Sequence, residues 1–206
     1  MRNKISALFT AFGLLLLLAA LSLAAYNILD DKRAMKLSAE TGTELSQTIV
    51  ETVENKTPEE LGPEILPDHV IHPDVEMPTK EIDGKLYIGM LTVPSVNLEL
   101  PVLSEYTDAD LLVAPCRYYG SAYKNDMVIT AHNYPSHFGP LRELKLGDEV
   151  IFTDVDGNEF RYTVERFQTL RATDVEEVKN SGYDLTLFTC TVGGYTRYTI
   201  RCELVE

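Results

Sequence analysis

The sequence predicts an all-β protein: a closed or nearly closed barrel of seven to eight short strands with short helices, preceded by one transmembrane helix and a spacer. Three observations carry this. From Ile82 onward, β-branched and aromatic runs recur between Gly, Pro, Asn and Asp punctuation. Ahead of them lies a charge-free apolar run, Ile5 to Leu29, followed by an acidic stretch rich in proline. At 206 residues the chain has room for one domain with a real core, but not for two comfortable ones.

The apolar run contains Leu14 to Leu18 and is long enough, as a helix, to cross a hydrocarbon core of ~30 Å. Arg2 and Lys4 precede it, which places the N-terminus in the cytoplasm and everything after Asp30 outside. Ser22-Leu23-Ala24 is a small-x-small site, so a cleaved signal peptide is the rival reading, and either one exports the rest of the chain. Residues 30–81 form the spacer. Asp30 to about Lys56 has a helix-compatible composition, suited to a stalk, and Pro58, Pro63, Pro67, Pro73 and Pro78 then recur among acids in an extended segment. His69 and His72 read as exposed linker histidines.

The third segment, 82–206, is the folded domain. Tyr87 to Val93 and Val96 to Leu103 read as two strands broken by Pro94-Ser95, and Thr107 can cap a short helix over Asp108 to Val113. Met127 to Ala131 is a strand ending at His132, and Phe138 to Leu144 a helical turn. Glu149 to Phe152 and Glu159 to Thr169 are joined through the hairpin signal Asp156-Gly157. A polar loop with one helical turn at Asp174 to Val178 leads to the last two strands, Leu185 to Cys190 and Thr196 to Glu203. Gly193-Gly194 between them sets a hairpin register with Val192 opposite Tyr195, Thr191 opposite Thr196 and Cys190 opposite Arg197. In that register Arg201 shares the face of Cys190, while Cys202 turns away.

Net charge is −14, with +2 on residues 1–29 and −8 on each of 30–81 and 82–206. No basic stripe is present, which removes nucleic acid as a partner. Cys116, Cys190 and Cys202 are an odd number and match no zinc spacing. Cys202 reads as a small buried residue; for Cys116, just after Pro115, burial is the favoured reading without being decided. Glu105, Asp108 and Asp110 are acidic enough to raise calcium, but acids at a helix start are common without metal, so no cofactor is expected.

A thiol beside a guanidinium is biased toward its nucleophilic form, since arginine stays charged. Thr186-Leu187-Phe188-Thr189-Cys190, followed by Arg197 and preceded by His132 in a strand-end Ala-His context, resembles the signature of the sortase transpeptidases. The segment YIGMLTVPSVNLELPVL is similar to the opening strands of the sortase barrel. The resemblance implies a sortase-like barrel over 82–206, cleavage of an LPxTG-like sorting signal after its Thr, and transfer of the acyl group to an amine on a cell-wall precursor. It implies Cys190 as nucleophile, His132 rather than His137 as acid and base, Arg197 at the oxyanion, and Thr189 as support for substrate or oxyanion. Arg201 then reads as a surface ion-pair residue. No Asp or Asn is assignable as a third triad member. The spacer lacks an Asp-Pro-aromatic lid and no second span follows the barrel, which argues against the pilus-polymerising type; the short loop before the Cys strand argues against types with a long helix there. The alternatives are another exported cysteine peptidase or peptidoglycan hydrolase, and an anchored barrel that only binds.

Overall fold

A computed structural model describes residues 2–56, 68–191 and 193–205. The chain forms two compact units, Met1–Arg33 and Ala34–Glu206. In the first, the helix α1 (Arg2–Glu54) begins, and from Leu8 its apolar side chains stand exposed, Leu14 to Leu18 at 53–63%. This stretch is apolar and long enough to cross a membrane, with a mean hydropathy of 2.4 in its best window.

The second unit is the barrel. Its strands are β1 (Lys80–Ile82), β2 (Lys85–Val93), β3 (Leu98–Leu103), β4 (Cys116–Tyr119), β5 (Met127–Thr130), β6 (Glu149–Asp154), β7 (Glu159–Arg171), β8 (Leu185–Cys190) and β9 (Thr196–Leu204). They are ordered β1-β2-β3-β4-β5-β8-β9-β7-β6, and β6 pairs back onto β2, so eight strands close a ring and β1 hangs outside it. Closure happens at a bulge between Tyr87 and Gly89, where β2 changes partner from β1 to β6. Gly89 is required there: its φ is +156°, and a Cβ would lie 2.1 Å from the Thr153 carbonyl oxygen of the closing strand. Alternating residues such as Leu91, Val102, Ile129, Phe152, Tyr162, Leu187 and Ile200 fill the interior.

The compact unit that holds the barrel begins at Ala34, ahead of the expected domain start near Ile82. Residues 34–54 of α1 lie on the barrel: Ala34 is buried, and Leu45 and Ile49 cluster with Tyr87, Met90 and Leu103. Lys56 Nζ donates to the Asp156 carbonyl at 2.8 Å, and a Cβ on Gly157 would come within 2.2 Å of Val53 Cγ2. Further along, α2 (Asp68–Ile71) carries His69, which is not an exposed linker residue. Its ring stacks 4.5 Å from that of Tyr123, and Met77 enters the main core. The proline-rich expectation for 57–67 lies outside the described residues.

Candidate active site

The topology explains why chemistry concentrates at one rim. Strands β5, β8 and β9 are adjacent; β5 and β8 run parallel, so both finish at the same end of the barrel, and β9 starts there after the hairpin. Cys190 ends β8, and His132 lies two residues past Thr130, which is paired with Phe188. The histidine is therefore level with the cysteine on the neighbouring strand line. Cys190 pairs directly with Arg197, as the turn spacing predicts, and Thr191 N–H donates to the Thr196 carbonyl at 3.0 Å. The expected partner of Tyr195, Val192, lies outside the described residues.

Alternation then separates two faces. Thr186, Phe188 and Cys190 share theirs with Arg201, Thr199 and Arg197, while Leu185, Leu187, Ile200 and Cys202 point into the core. The helix α3 (Val175–Lys179) and the end of β7 cover the outer face. Between them is a cavity of about 170 Å³ whose lining includes Cys190, Arg197, Phe188, Val178, Tyr118 and Tyr106. Its walls are largely apolar and aromatic, and a thiol and a guanidinium sit at one end.

Of the three thiols, Cys190 alone is half-buried; the other two are fully buried. Burial, with a further push from the Asp110 charge, raises the Cys116 thiol to about 12, and burial drives that of Cys202 up as well. Neither forms a thiolate readily. The guanidinium of Arg197 is braced through Nη1, which donates to the carbonyls of Gly194 at 2.9 Å and Thr196 at 3.3 Å. His132 is half-buried and stacks on Tyr134, ring centroids 4.7 Å apart, whereas His137 is completely buried.

Two further side chains lie under cover. Thr189 is 1% exposed, and its hydroxyl donates to the Ala131 carbonyl at 2.7 Å. It faces inward and ties the Cys strand to the residue preceding His132. Arg201 is no surface residue: at 1% exposure it donates to Gln168 Oε1, Thr186 Oγ1 and the carbonyls of Glu177 and Val178, at 2.7–3.1 Å. Desolvation lowers its pKa, and the two carbonyls belong to α3, so this buried cation fastens the cavity wall to the sheet.

The sequence reading also missed Arg142, on the 3-10 turn Gly139–Glu143, whose Nη2 donates to the Cys190 carbonyl at 3.4 Å. No motif surrounds it. The acids considered for calcium have other engagements: Asp110 pairs with Lys85, and Asp108 accepts from the Tyr106 hydroxyl at 2.6 Å. Among the described residues no group of three or more His, Cys, Asp or Glu is placed to hold a metal.

Comparison with known proteins agrees with this geometry. The sortase domain family model matches residues 91–205. A curated relative, sortase A of Bacillus anthracis, is 32% identical over 142 residues, which is 65% of this chain and 67% of that protein. Among solved structures, Listeria monocytogenes sortase A superposes with a TM-score of 0.51 at 27% identity, covering 58% of this chain and 88% of that one. A Clostridium perfringens sortase D5 transpeptidase reaches a TM-score of 0.60 at 17% identity over 83% of this chain and 99% of that one, a likeness of fold.

Proposed function

The chain belongs to the sortase family of cysteine transpeptidases, and on that premise we propose that Cys190, His132 and Arg197 are its catalytic residues, acting on an LPxTG-like sorting signal. The observation that carries this is the meeting of all three at one rim of the barrel, with the half-buried thiol and the guanidinium lining the same apolar cavity.

In this reading the Cys190 thiolate attacks the carbonyl carbon of the Thr–Gly bond, and the resulting oxyanion is met by the Arg197 guanidinium. Protonated His132 gives its proton to the leaving amine as the C–N bond breaks, leaving a thioester on Cys190. The incoming amine of a cell-wall precursor attacks that thioester, His132 removes its proton, and the thiolate is restored. The apolar helix of residues 8–29 serves as a membrane anchor with the barrel on the extracellular side, residues 30–81 lead into the barrel and in part pack on it, and catalysis resides in 82–206.

The test is incubation of the full chain with an LPxTG peptide, with and without an amine acceptor, followed by mass spectrometry. An acyl adduct confined to Cys190, transferred to the amine when one is present, is the expected result. Release of free acid alone with amine present would indicate a hydrolase, and a Cys190 that never acylates would indicate a binding module.

A further inference from the structure

The catalytic cavity does not end at its aromatic wall. Tyr106 and Tyr118 also line a second, open cavity of about 510 Å³, whose other lining residues include Ser104, Glu105, Arg117 and Lys179. The first cavity is largely apolar, with Arg197 and the Asp174-paired Arg171 on its wall; the second is polar and carries Arg117 and Lys179. Arg117 is held by its Nε, which donates to the Ser104 carbonyl at 2.8 Å. Lys179 Nζ lies 5.5 Å from the ring centroid of Tyr118 and 5.4 Å from that of Tyr119.

In a chain of net charge −14, several cations find a carboxylate, as Lys85, Lys124, Arg161 and Arg171 do here. Among the described residues, neither Arg117 nor Lys179 forms such an ion pair. Glu105 shares the cavity but is exposed. Lys179 closes α3, whose backbone is held to the sheet by buried Arg201 through the Glu177 and Val178 carbonyls.

Resting on the transpeptidase reading above, we infer that this second cavity is a subsite for a carboxylate side chain just upstream of the sorting motif. The apolar cavity suits the Leu and Pro of an LPxTG segment, which lie on the acyl side of the cleaved bond. Arg201 stands opposite Thr186 and binds the Val178 carbonyl, so Lys179 is level with the start of β8. From Thr186 to Cys190 an extended chain advances roughly 13 Å, the reach of four substrate residues. With the motif's Thr at Cys190, the residue before its Leu arrives at Lys179 and Arg117. An acidic residue there meets two cations with no competing ion pair.

The experiment uses three peptides sharing one LPxTG core, with Glu, Gln or Lys before the leucine. Binding is measured by fluorescence anisotropy on the full-length Cys190→Ala protein, and turnover on the wild type. The Glu peptide should bind about threefold tighter than the Gln peptide and about tenfold tighter than the Lys peptide in low salt, with the ratios shrinking at 0.5 M salt. The difference should appear in KM and not in kcat. Lys179→Glu should reverse the order of the Glu and Lys peptides, and the milder Lys179→Gln should narrow their ratio. The exposed control Lys145→Glu should preserve it. Equal binding of the three peptides, or an order untouched by both Lys179 variants, overturns the subsite. Failure of the wild type to turn over even the Gln peptide overturns the transpeptidase reading instead, and the binding ratios still decide the subsite.

Discussion

The rim and the interior of the barrel hold the same chemical groups in opposite circumstances. At the rim stand Cys190, His132 and Arg197, all half-buried; inside or beneath cover stand Cys202, His137 and Arg201, with exposures of 0%, 0% and 1%. Sequence distances within the pairs are small, so neither composition nor neighbourhood separates the members. What separates them is position relative to a strand end. The rim residues lie where a strand stops or starts and the backbone no longer covers the side chain. Of the interior members, Cys202 lies in the barrel core, Arg201 lies beneath α3, and His137 is buried in the loop after β5. The comparison teaches that reactivity here comes from placement: substitutions at the rim should change rates and spare stability, and those inside should do the reverse.

The cysteines give the largest contrast. Cys190→Ala should abolish peptide cleavage, a loss of at least ~10⁴-fold, because no other group supplies the thioester. Cys202→Ala, opening a small cavity, should keep most activity and cost about 1 kcal/mol of stability. Alkylation sharpens the test. With the Cys116 thiol pushed up to about 12, and that of Cys202 raised as well, iodoacetamide at pH 8 should label Cys190 alone in the native protein and all three thiols after unfolding. Native labelling of either buried thiol would break the comparison at its first pair.

The histidines come next. His132→Ala should lower kcat by about 10³-fold with little change in melting temperature, as expected for a lost acid and base. His137→Ala should instead melt earlier, by roughly 4–8 °C for a loss of about 2 kcal/mol, and should retain a measurable rate per folded molecule. The opposite ranking would transfer the proton-transfer role to the buried ring.

Much of this was legible in the sequence, for identifiable reasons. The hairpin register followed from Gly193-Gly194, and it correctly set Cys190 against Arg197 and turned Cys202 inward. Element order followed from alternation and turn residues. The parts that escaped share one trait: their burial depends on a surface formed by distant residues. Leu45 and Ile49 are isolated apolar positions on a polar stretch of helix, which gains a face only once β2 and β3 are assembled. Met77 and His69 pack with no periodicity at all. Strand β4 was hidden by its flanking Pro115 and its mixed polar and aromatic content, and β1 by a length of three residues. Arg201 reads as a surface charge in the sequence because the carbonyls that receive it come from α3, more than twenty residues away.

The arginines are the finest test, because Arg197 and Arg201 occupy one strand, on one face, four residues apart. Lysine keeps the charge at both positions but removes the planar fork. At position 197 the fork is braced by Gly194 and Thr196 carbonyls while lining the cavity, so an ammonium in its place would lose the directional contact with the oxyanion that the proposed mechanism assigns to it. Arg197→Lys should lower kcat by about 30-fold, within the range for a weakened oxyanion contact, and leave the melting temperature unchanged. At position 201 the fork bonds four acceptors in a buried site. An ammonium has three donors on a flexible stem and cannot satisfy all four at once. Arg201→Lys should therefore cost about 3 kcal/mol, or roughly 6–12 °C in melting temperature. Its kinetic signature should be a KM raised severalfold with kcat lowered less, since loosening α3 alters the cavity wall and not the reacting groups. Equal kcat losses at both positions, with equal melting temperatures, would show that the face is a single continuous site and that the division between rim and interior does not hold on β9.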